Sequence, residues 1–294
     1  MMTNEQLKIG FIGTGVMGKS MVQNLLNASY EVNIYTRTKE KATELINNGA
    51  TWSDSIADLA NNVHVVITMV GYPHDVEEVY FGAEGIIENA KSETLIIDMT
   101  TSSPKLAKQI YDVAKEKNIF SLDAPVSGGD IGAKNATLAI MVGGDEQAYQ
   151  KALPIFEVLG NNIVWHGEAG AGQHAKLANQ ITIASNMIGV CEALIYAKKS
   201  GLEPEKVLSS ISTGAAGSWS LSNLAPRMIK NDFSPGFFVK HFIKDMTIAV
   251  ESAKDLEIDM PGLTLALDLY KQLADMGEND SGTQALIKYY DENF

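Results

Sequence analysis

The sequence predicts an α/β fold: an N-terminal doubly wound parallel sheet followed by an all-α C-terminal domain. Three observations carry this prediction. Short β-branched runs alternate with helical segments through the first half. Several of those runs are apolar at nearly every position, the pattern of strands covered by helices on both faces. Beyond Gly167 the strand pattern stops and helical spacing takes over.

The elements follow in order. Leu7 to Ile12 reads as the first strand, and Val16, Met17, Met21, Val22, Leu25 and Leu26 then recur at helical spacing. Glu31 to Tyr35 is the second strand and Lys39 to Asn48 the next helix. Further strands are expected at Val63 to Val70, Thr94 to Met99, Ile119 to Val126, Thr137 to Val142 and Ile163 to Trp165. Helices are expected between them at about Pro104 to Lys117 and Glu146 to Leu159. A long helix from about Gln173 to Lys199 opens the second half. Segments at Pro204 to Ser212, Leu221 to Lys230, Lys240 to Leu256 and Pro261 to Met276 follow, punctuated by glycines. The expected division is residues 1–167 and 168–294, with no internal repeat or low-complexity tract.

With 294 residues, 45% of them hydrophobic, the chain can bury one large core or two smaller ones. Its 23 basic and 36 acidic residues leave a net charge of −13, which argues against a nucleic-acid partner. Cys191 is the only cysteine, so no intrachain disulfide can form, and its apolar neighbours mark it as core. No apolar run is read as long enough to span a membrane, and polar Met1 to Lys8 does not look like a secretory signal. A soluble cytoplasmic protein is the expectation.

The segment Gly13-Thr14-Gly15-Val16-Met17-Gly18 sits where a strand passes into a helix. In that context a GxGxxG turn binds a dinucleotide. The first glycine allows the turn, the second lets pyrophosphate approach the backbone, and the third packs helix on strand. The bland alternative is an ordinary glycine-rich turn. The second strand ends Tyr35-Thr36-Arg37-Thr38-Lys39, without the acid that NAD-selective chains place there. Arg37 can pair with a 2′-phosphate and Thr38 can add a hydroxyl, which favours NADP over NAD. Arg37 stacked on adenine, or simply solvated, is the other reading. Ligands of open α/β sheets lie outside the carboxyl ends of the strands. That puts Met69, Val70, Gly71 and Thr101 beside the cofactor and points Asp123 to Gly129 toward its nicotinamide end. Thr101 to Ser103 can equally cap the helix opening at Pro104.

These pieces together resemble the β-hydroxyacid dehydrogenases, the family of 3-hydroxyisobutyrate dehydrogenase and tartronate semialdehyde reductase, over nearly the whole chain. Four blocks match in order. They are Gly10 to Gly18 with Met21 and Asn24-Leu25-Leu26; Asp123-Ala124-Pro125-Val126-Ser127-Gly128-Gly129 with Gly132-Ala133 and Met141 to Gly144; Gly170-Ala171-Gly172 leading to Lys176 and Asn179; and Lys240 with Lys244-Asp245. The resemblance implies a Rossmann-type cofactor domain. It implies that Ser127, Gly128 and Gly129 anchor a substrate carboxylate and that Lys176 is the catalytic acid/base. It further implies that Asn179 orients substrate and lysine, that Lys244 lies against the cofactor, that Lys240 faces the same cleft and that Thr101 contacts the cofactor.

Lys176 and Asn179 are three residues apart and share a helix face. An ammonium beside a carbonyl stabilises the negative charge that develops on reduction and donates a proton. The neutral amine reverses the step, and partial desolvation lowers its pKa toward a useful range. Without the resemblance, a lysine on a long helix reads as a solvated surface residue. His174 falls on another face, and none of the five histidines has metal-ligand spacing, so no metal is expected. Trp219 lies in a region that shapes the pocket in relatives, and reads equally well as helical core.

The chain departs from the family pattern at Thr36, where an asparagine is frequent, and at Ala136, where a glycine is. The 6-phosphogluconate dehydrogenases are longer and carry His-Asn-Gly after the lysine; here Leu177-Ala178-Asn179 follows. Imine reductases usually lack the lysine. The sequence therefore implies hydride transfer between NADP(H) or NAD(H) and a small β-hydroxyacid or its semialdehyde. The reading from another class is a non-catalytic nicotinamide-binding regulatory or structural protein. The apolar Ile183, Met187, Ile188, Val190 and Leu194 must be covered within the helical domain or between subunits, and relatives form dimers and tetramers. A homo-dimer or homo-tetramer is expected.

Overall fold

The computed structural model describes residues 7–291 and Phe294. The polar start of the chain, up to residue 6, lies outside them. Two compact units divide between Lys176 and Leu177.

The first unit opens with β1 (Lys8–Ile12), α1 (Val16–Asn27) and β2 (Glu31–Tyr35), and continues through α2 (Thr43–Asn47), β3 (Thr51–Trp52) and α3 (Ile56–Asn61). Next come β4 (Val65–Thr68), α4 (Pro73–Phe81), α5 (Ile86–Asn89), β5 (Leu95–Asp98), α6 (Pro104–Glu116) and β6 (Phe120–Asp123). It ends with β7 (Val126–Ser127), α7 (Gly129–Lys134), β8 (Leu138–Gly144), α8 (Glu146–Leu159) and β9 (Gly160–Gly167), and then the first turn of α9 (Ala171–Lys199). Among the described residues nine strands form one sheet in the order β3-β2-β1-β4-β5-β6-β8-β7, with β9 beside β8. The order reverses between β1 and β4, which opens a crevice at the carboxyl ends of those strands.

The apolar runs are explained by the two sheet faces. Ile9, Phe11, Val65, Ile67, Leu95 and Ile97 pack into one cluster with Met21, Val22 and Leu25 of α1 and Ile155 and Phe156 of α8. The alternate residues Ile12, Val66 and Ile96 pack on the other face with Leu59, Val76, Tyr80 and Ile110. Side chains of a strand alternate, so a strand buried on both faces must be apolar at every position.

The sheet is not parallel throughout. The run expected from Ile119 to Val126 breaks after Asp123, at Ala124-Pro125, and β7 then pairs antiparallel with β8. The link between β7 and β8 is the six-residue α7, far shorter than a parallel crossover needs. The helix expected over Lys39 to Asn48 starts as a 3₁₀ turn, Lys39–Ala42. Short elements without a clear period, such as β3 and α5, were not legible in the sequence.

The second unit is helical: the rest of α9, then α10 (Pro204–Ile211), α11 (Trp219–Asn223), α12 (Ala225–Ile229), α13 (Val239–Asp255), α14 (Pro261–Leu273) and α15 (Ile287–Tyr290). The segment expected as one helix from Leu221 to Lys230 is two, broken at Leu224 ahead of Pro226. The helix expected to run to Met276 ends at Leu273 and passes into a π turn, Ala274–Glu278, with Gly277 at φ +94°. Leu177, Ala184, Met187, Val190, Cys191 and Leu194 of α9 pack with Phe242, Met246, Tyr270 and Leu273. One expectation is corrected here. At 29 residues and mean hydropathy 1.2 over its apolar window, α9 is long and apolar enough to cross a membrane by length and composition. Its buried face instead supplies the core of the second unit. Cys191 is fully buried there, and burial pushes its thiol pKa up.

Candidate active site

The glycine turn separates what the fold requires from what it does not. Gly13 has φ +98°, and a Cβ there would strike the Met69 carbonyl. Its N–H donates to the Tyr35 carbonyl at 3.0 Å, joining the ends of β1 and β2. A Cβ on Gly18 would strike the Gly13 carbonyl oxygen. Gly15 differs: its φ of −70° and ψ of −161° suit any residue, and nothing lies within 4 Å of an added Cβ. Packing therefore does not explain the glycine, whereas close approach of a ligand does. The start of α1 has no side-chain cap and no acid in its first turn. The buried Thr14 hydroxyl has no hydrogen-bond partner. An orphaned hydroxyl, an uncapped helix start and open space at Gly15 fit the pyrophosphate of a dinucleotide. Val16 is exposed and Met17 half-buried on the first turn of α1.

Arg37 and Thr38, both exposed, follow β2. Arg37 Nη1 lies 3.2 Å from Oδ1 of Asp75, whose side chain is buried while that of Arg37 is 81% exposed. Asp75 Oδ2 also accepts from the Tyr72 N–H at 3.0 Å. Asp75 thus tethers the guanidinium at one edge and leaves the rest accessible. The sequence reading missed it, although an acid three residues after Tyr72 at the start of a helix is a capping signal.

Met69, Val70 and Gly71 continue β4, all half-buried. Val70 N–H donates to the Thr100 hydroxyl at 3.0 Å. Behind them Asp98 Oδ1 accepts from the Thr68 hydroxyl at 2.8 Å and the Thr100 N–H at 3.0 Å. Burial raises the Asp98 pKa to about 6, against the opposing effect of those hydrogen bonds. Thr101 follows, half-buried.

The first turn of α9 is tied to the same edge. Asp123, at the end of β6, accepts from the Gly170 N–H at 2.7 Å and the Gln173 N–H at 2.8 Å. Gln173 accepts from the Ser102 N–H at 2.9 Å and donates to the Thr100 carbonyl at 2.8 Å. Burial raises the Asp123 pKa, and its backbone donors oppose the rise. Lys176 follows Gln173 by one helical turn and is 6% exposed, whereas His174 is exposed. Ser127 closes β7, with Gly128 at φ +133° and Gly129 at φ +63° leading into α7. Those φ values, which glycine adopts without strain, shape the turn from β7 into α7. The Asn24 side chain holds α7 against α1 by donating to the Ala133 carbonyl at 2.8 Å.

The remaining candidates lie in the second unit. Asn179 donates to Gln180 at 2.8 Å, and Gln180 donates to buried Asp245 at 2.6 Å. Lys244 Nζ is 3.0 Å from Asp245 Oδ1. Lys240 pairs with Asp280 at 2.6 Å. Burial, with Lys244 and Lys240 nearby, lowers the His241 pKa. Trp219, the first residue of α11, is 70% exposed, so it is not helical core within this chain. Among the described residues no group of three His, Cys, Asp or Glu is placed to hold a metal.

Residues 8–167 match the NAD-binding domain of 6-phosphogluconate dehydrogenase. Residues 170–290 match the NAD-binding module of NADP-dependent 3-hydroxyisobutyrate dehydrogenase. The chain is 62% identical to the uncharacterized oxidoreductase YkwC of Bacillus subtilis, over 96% of this chain and 98% of that one. It is 38% identical to the 2-hydroxy-3-oxopropionate reductase of Escherichia coli, over 96% of each. The chain belongs to the β-hydroxyacid dehydrogenase family. It is therefore an oxidoreductase with a Rossmann-type NAD(P)-binding domain and a helical C-terminal domain. The structure of the Mycobacterium tuberculosis 3-hydroxyisobutyrate dehydrogenase with L-serine agrees with a TM-score of 0.90 and 31% identity, over 97% of this chain and 99% of that one. Ala136, where a glycine is frequent in the family, stands in the left-handed region at φ +55°.

Proposed function

We propose that this chain interconverts a small β-hydroxyacid and its semialdehyde or keto form, prefers NADP(H), and uses Lys176 as general acid/base. The observation that carries the proposal is buried Lys176, one turn beyond a helix start bonded to the ends of β5 and β6. The nicotinamide, when bound, supplies or accepts the hydride. The chain's residues do the rest. The Ser127 hydroxyl and the N–H groups of Gly128 and Gly129 take the substrate carboxylate. In reduction the Lys176 ammonium stabilises the oxyanion and gives it a proton; in oxidation the neutral amine takes the alcohol proton. Asn179 orients the substrate, Lys240 faces it, and Lys244 contacts the cofactor. Gly13 to Gly18, Met69 to Gly71 and Thr101 line the dinucleotide, and exposed Arg37 with Thr38 meets a 2′-phosphate. The serine paired with the Mycobacterium tuberculosis relative, itself a small β-hydroxy carboxylate, supports the substrate class. Exposed Tyr196, Trp219 and Leu265 support a homo-oligomer, which light scattering tests.

The test is a set of initial rates with 3-hydroxyisobutyrate, tartronate semialdehyde, succinic semialdehyde, glyoxylate and serine, each with NADP(H) and NAD(H). Lys176→Ala is expected to cost roughly 100-fold or more in kcat. Arg37→Ala should lower kcat/KM with NADPH by about tenfold and leave NADH nearly unchanged. A wild-type rate in Lys176→Ala overturns the mechanism. Cofactor binding without turnover on the whole panel would favour the non-catalytic reading.

A further inference from the structure

The start of α9 is built in an unusual way. A helix leaves its first N–H groups without intrahelical partners, and the residue before it usually supplies a capping side chain. Here that residue is Gly170, at φ +90°, with no side chain to give; a Cβ there would lie 3.0 Å from the Pro104 carbonyl oxygen. The cap comes from another strand. Asp123, 47 residues earlier in the sequence, accepts from Gly170 with one carboxylate oxygen and from Gln173, 50 residues later, with the other.

Two glycines make room for this arrangement. A Cβ on Gly143 would lie 2.5 Å from Asp123 Oδ1 and 2.7 Å from the Gly172 nitrogen. A Cβ on Gly172 would lie 2.9 Å from Asp123 Oδ2 and would strike the Met141 carbonyl. The carboxylate is thus enclosed where helix start and strand end meet. Gln173 adds a second tie, bonded through both atoms of its amide to the segment after β5. Two fixed points on one turn define both the axial position and the rotation of a helix. Lys176 follows Gln173 by three residues, so its Cβ direction is set by the same turn.

We propose that Asp123 is a positioning residue for the reaction: by capping α9 from β6 it sets where the Lys176 amine stands relative to the crevice. This rests on Lys176 being the acid/base. The carboxylate itself touches neither substrate nor cofactor in this role. Its negative charge at the positive end of the helix adds electrostatic hold to the two hydrogen bonds. A displacement of about 1 Å at a catalytic group can cost on the order of 100-fold in rate.

A double-mutant cycle on the pre-steady-state rate of hydride transfer, at saturating cofactor and substrate, tests this. Asp123→Asn keeps the shape of the side chain and loses one acceptor and the charge. It should lower the rate by about 10- to 100-fold, with the NADPH dissociation constant within about twofold of wild type. In a Lys176→Ala background the same change should alter the residual rate by less than about twofold, because the group it positions is gone. An equal loss in both backgrounds overturns the proposal and leaves Asp123 as a stabilising cap alone. A wild-type rate in Asp123→Asn also overturns it. If Lys176→Ala alone keeps the wild-type rate, the acid/base reading falls and this proposal with it, so the two failures are distinct. Should Asp123→Asn fold poorly, Asp123→Glu serves instead: it keeps the charge and both acceptor oxygens but moves them by one methylene relative to the Gly170 and Gln173 donors. It should show the same loss in rate and the same non-additivity with Lys176→Ala, and full additivity would refute the proposal.

Discussion

Replacing Gly15 by alanine should separate folding from cofactor binding. The backbone there lies in a region open to any residue, and an added Cβ meets nothing within 4 Å. The methyl group therefore costs the cofactor-free protein nothing. Reduced freedom of the unfolded chain should stabilise it by about 0.4–1 kcal/mol. For units of this size that is about 1–4 °C in Tm. The same methyl group stands where a pyrophosphate would approach the uncapped start of α1. Losing one charge-assisted N–H contact costs about 1.5–3 kcal/mol, or roughly 10- to 100-fold in the NADPH dissociation constant. Gly18→Ala is the control. Its Cβ strikes the Gly13 carbonyl oxygen, so it should lose about 1–3 kcal/mol of stability before any cofactor is added. Melting curves without cofactor and titration of NADPH fluorescence measure both quantities. Wild-type affinity in Gly15→Ala would refute the placement of the pyrophosphate. A Tm as low as that of Gly18→Ala would show that the fold itself needs the glycine.

Thr14→Val removes a buried hydroxyl that has no partner. It should leave the cofactor-free Tm equal or higher, by up to about 1–2 kcal/mol of stability, while weakening NADPH binding by roughly tenfold; unchanged binding would disconnect the hydroxyl from the cofactor. Ala136→Gly relieves an alanine held at φ +55°. The left-handed conformation costs a non-glycine residue about 1–2 kcal/mol, partly offset by the entropy of glycine, so a net gain of about 0.5–1 kcal/mol with unchanged kcat/KM is expected. Asp98 concerns pH. Burial lifts its pKa from 3.8 to about 6, so the fold favours the protonated acid. That contribution is complete below about pH 4 and is lost as pH rises through about 6. The shift corresponds to roughly 3 kcal/mol. Denaturant titrations of wild type and Asp98→Asn should diverge by about that amount between pH 4 and 7, in favour of the variant. A difference independent of pH would refute it.

The glycine turn was legible because its physics is local. Gly13 turns the chain and Gly18 lets the helix pack on the strand within one strand-to-helix turn, and both can be read from spacing alone. Arg37 and Thr38 stand exposed after the second strand, as the order of elements implies. The groups that hold the site's residues were not legible. Asp75 beside Arg37, Asp98 beside Thr68, and Asp123 with Gln173 at the start of α9 join positions tens of residues apart. Nothing in the spacing of Asp123 and Gly170 marks them as partners. The antiparallel return through β7 was hidden too, because an apolar run does not reveal the direction in which it pairs.

What the sequence determined alone was the architecture and the ligand class. The near-continuous apolar runs, the glycine turn and the change to helical spacing are properties of short stretches of chain. The tertiary structure decided which side chains are buried and bonded together at the candidate site. Lys176 lies on a helix that would read as ordinary surface by itself. The helix start before it is tied to the sheet edge by a carboxylate on β6, with glycines on β8 and α9 that leave the carboxylate room. Such a fit depends on the separation of three elements in space, and that separation is set by the packing of the sheet and its helices, not by any local run of residues.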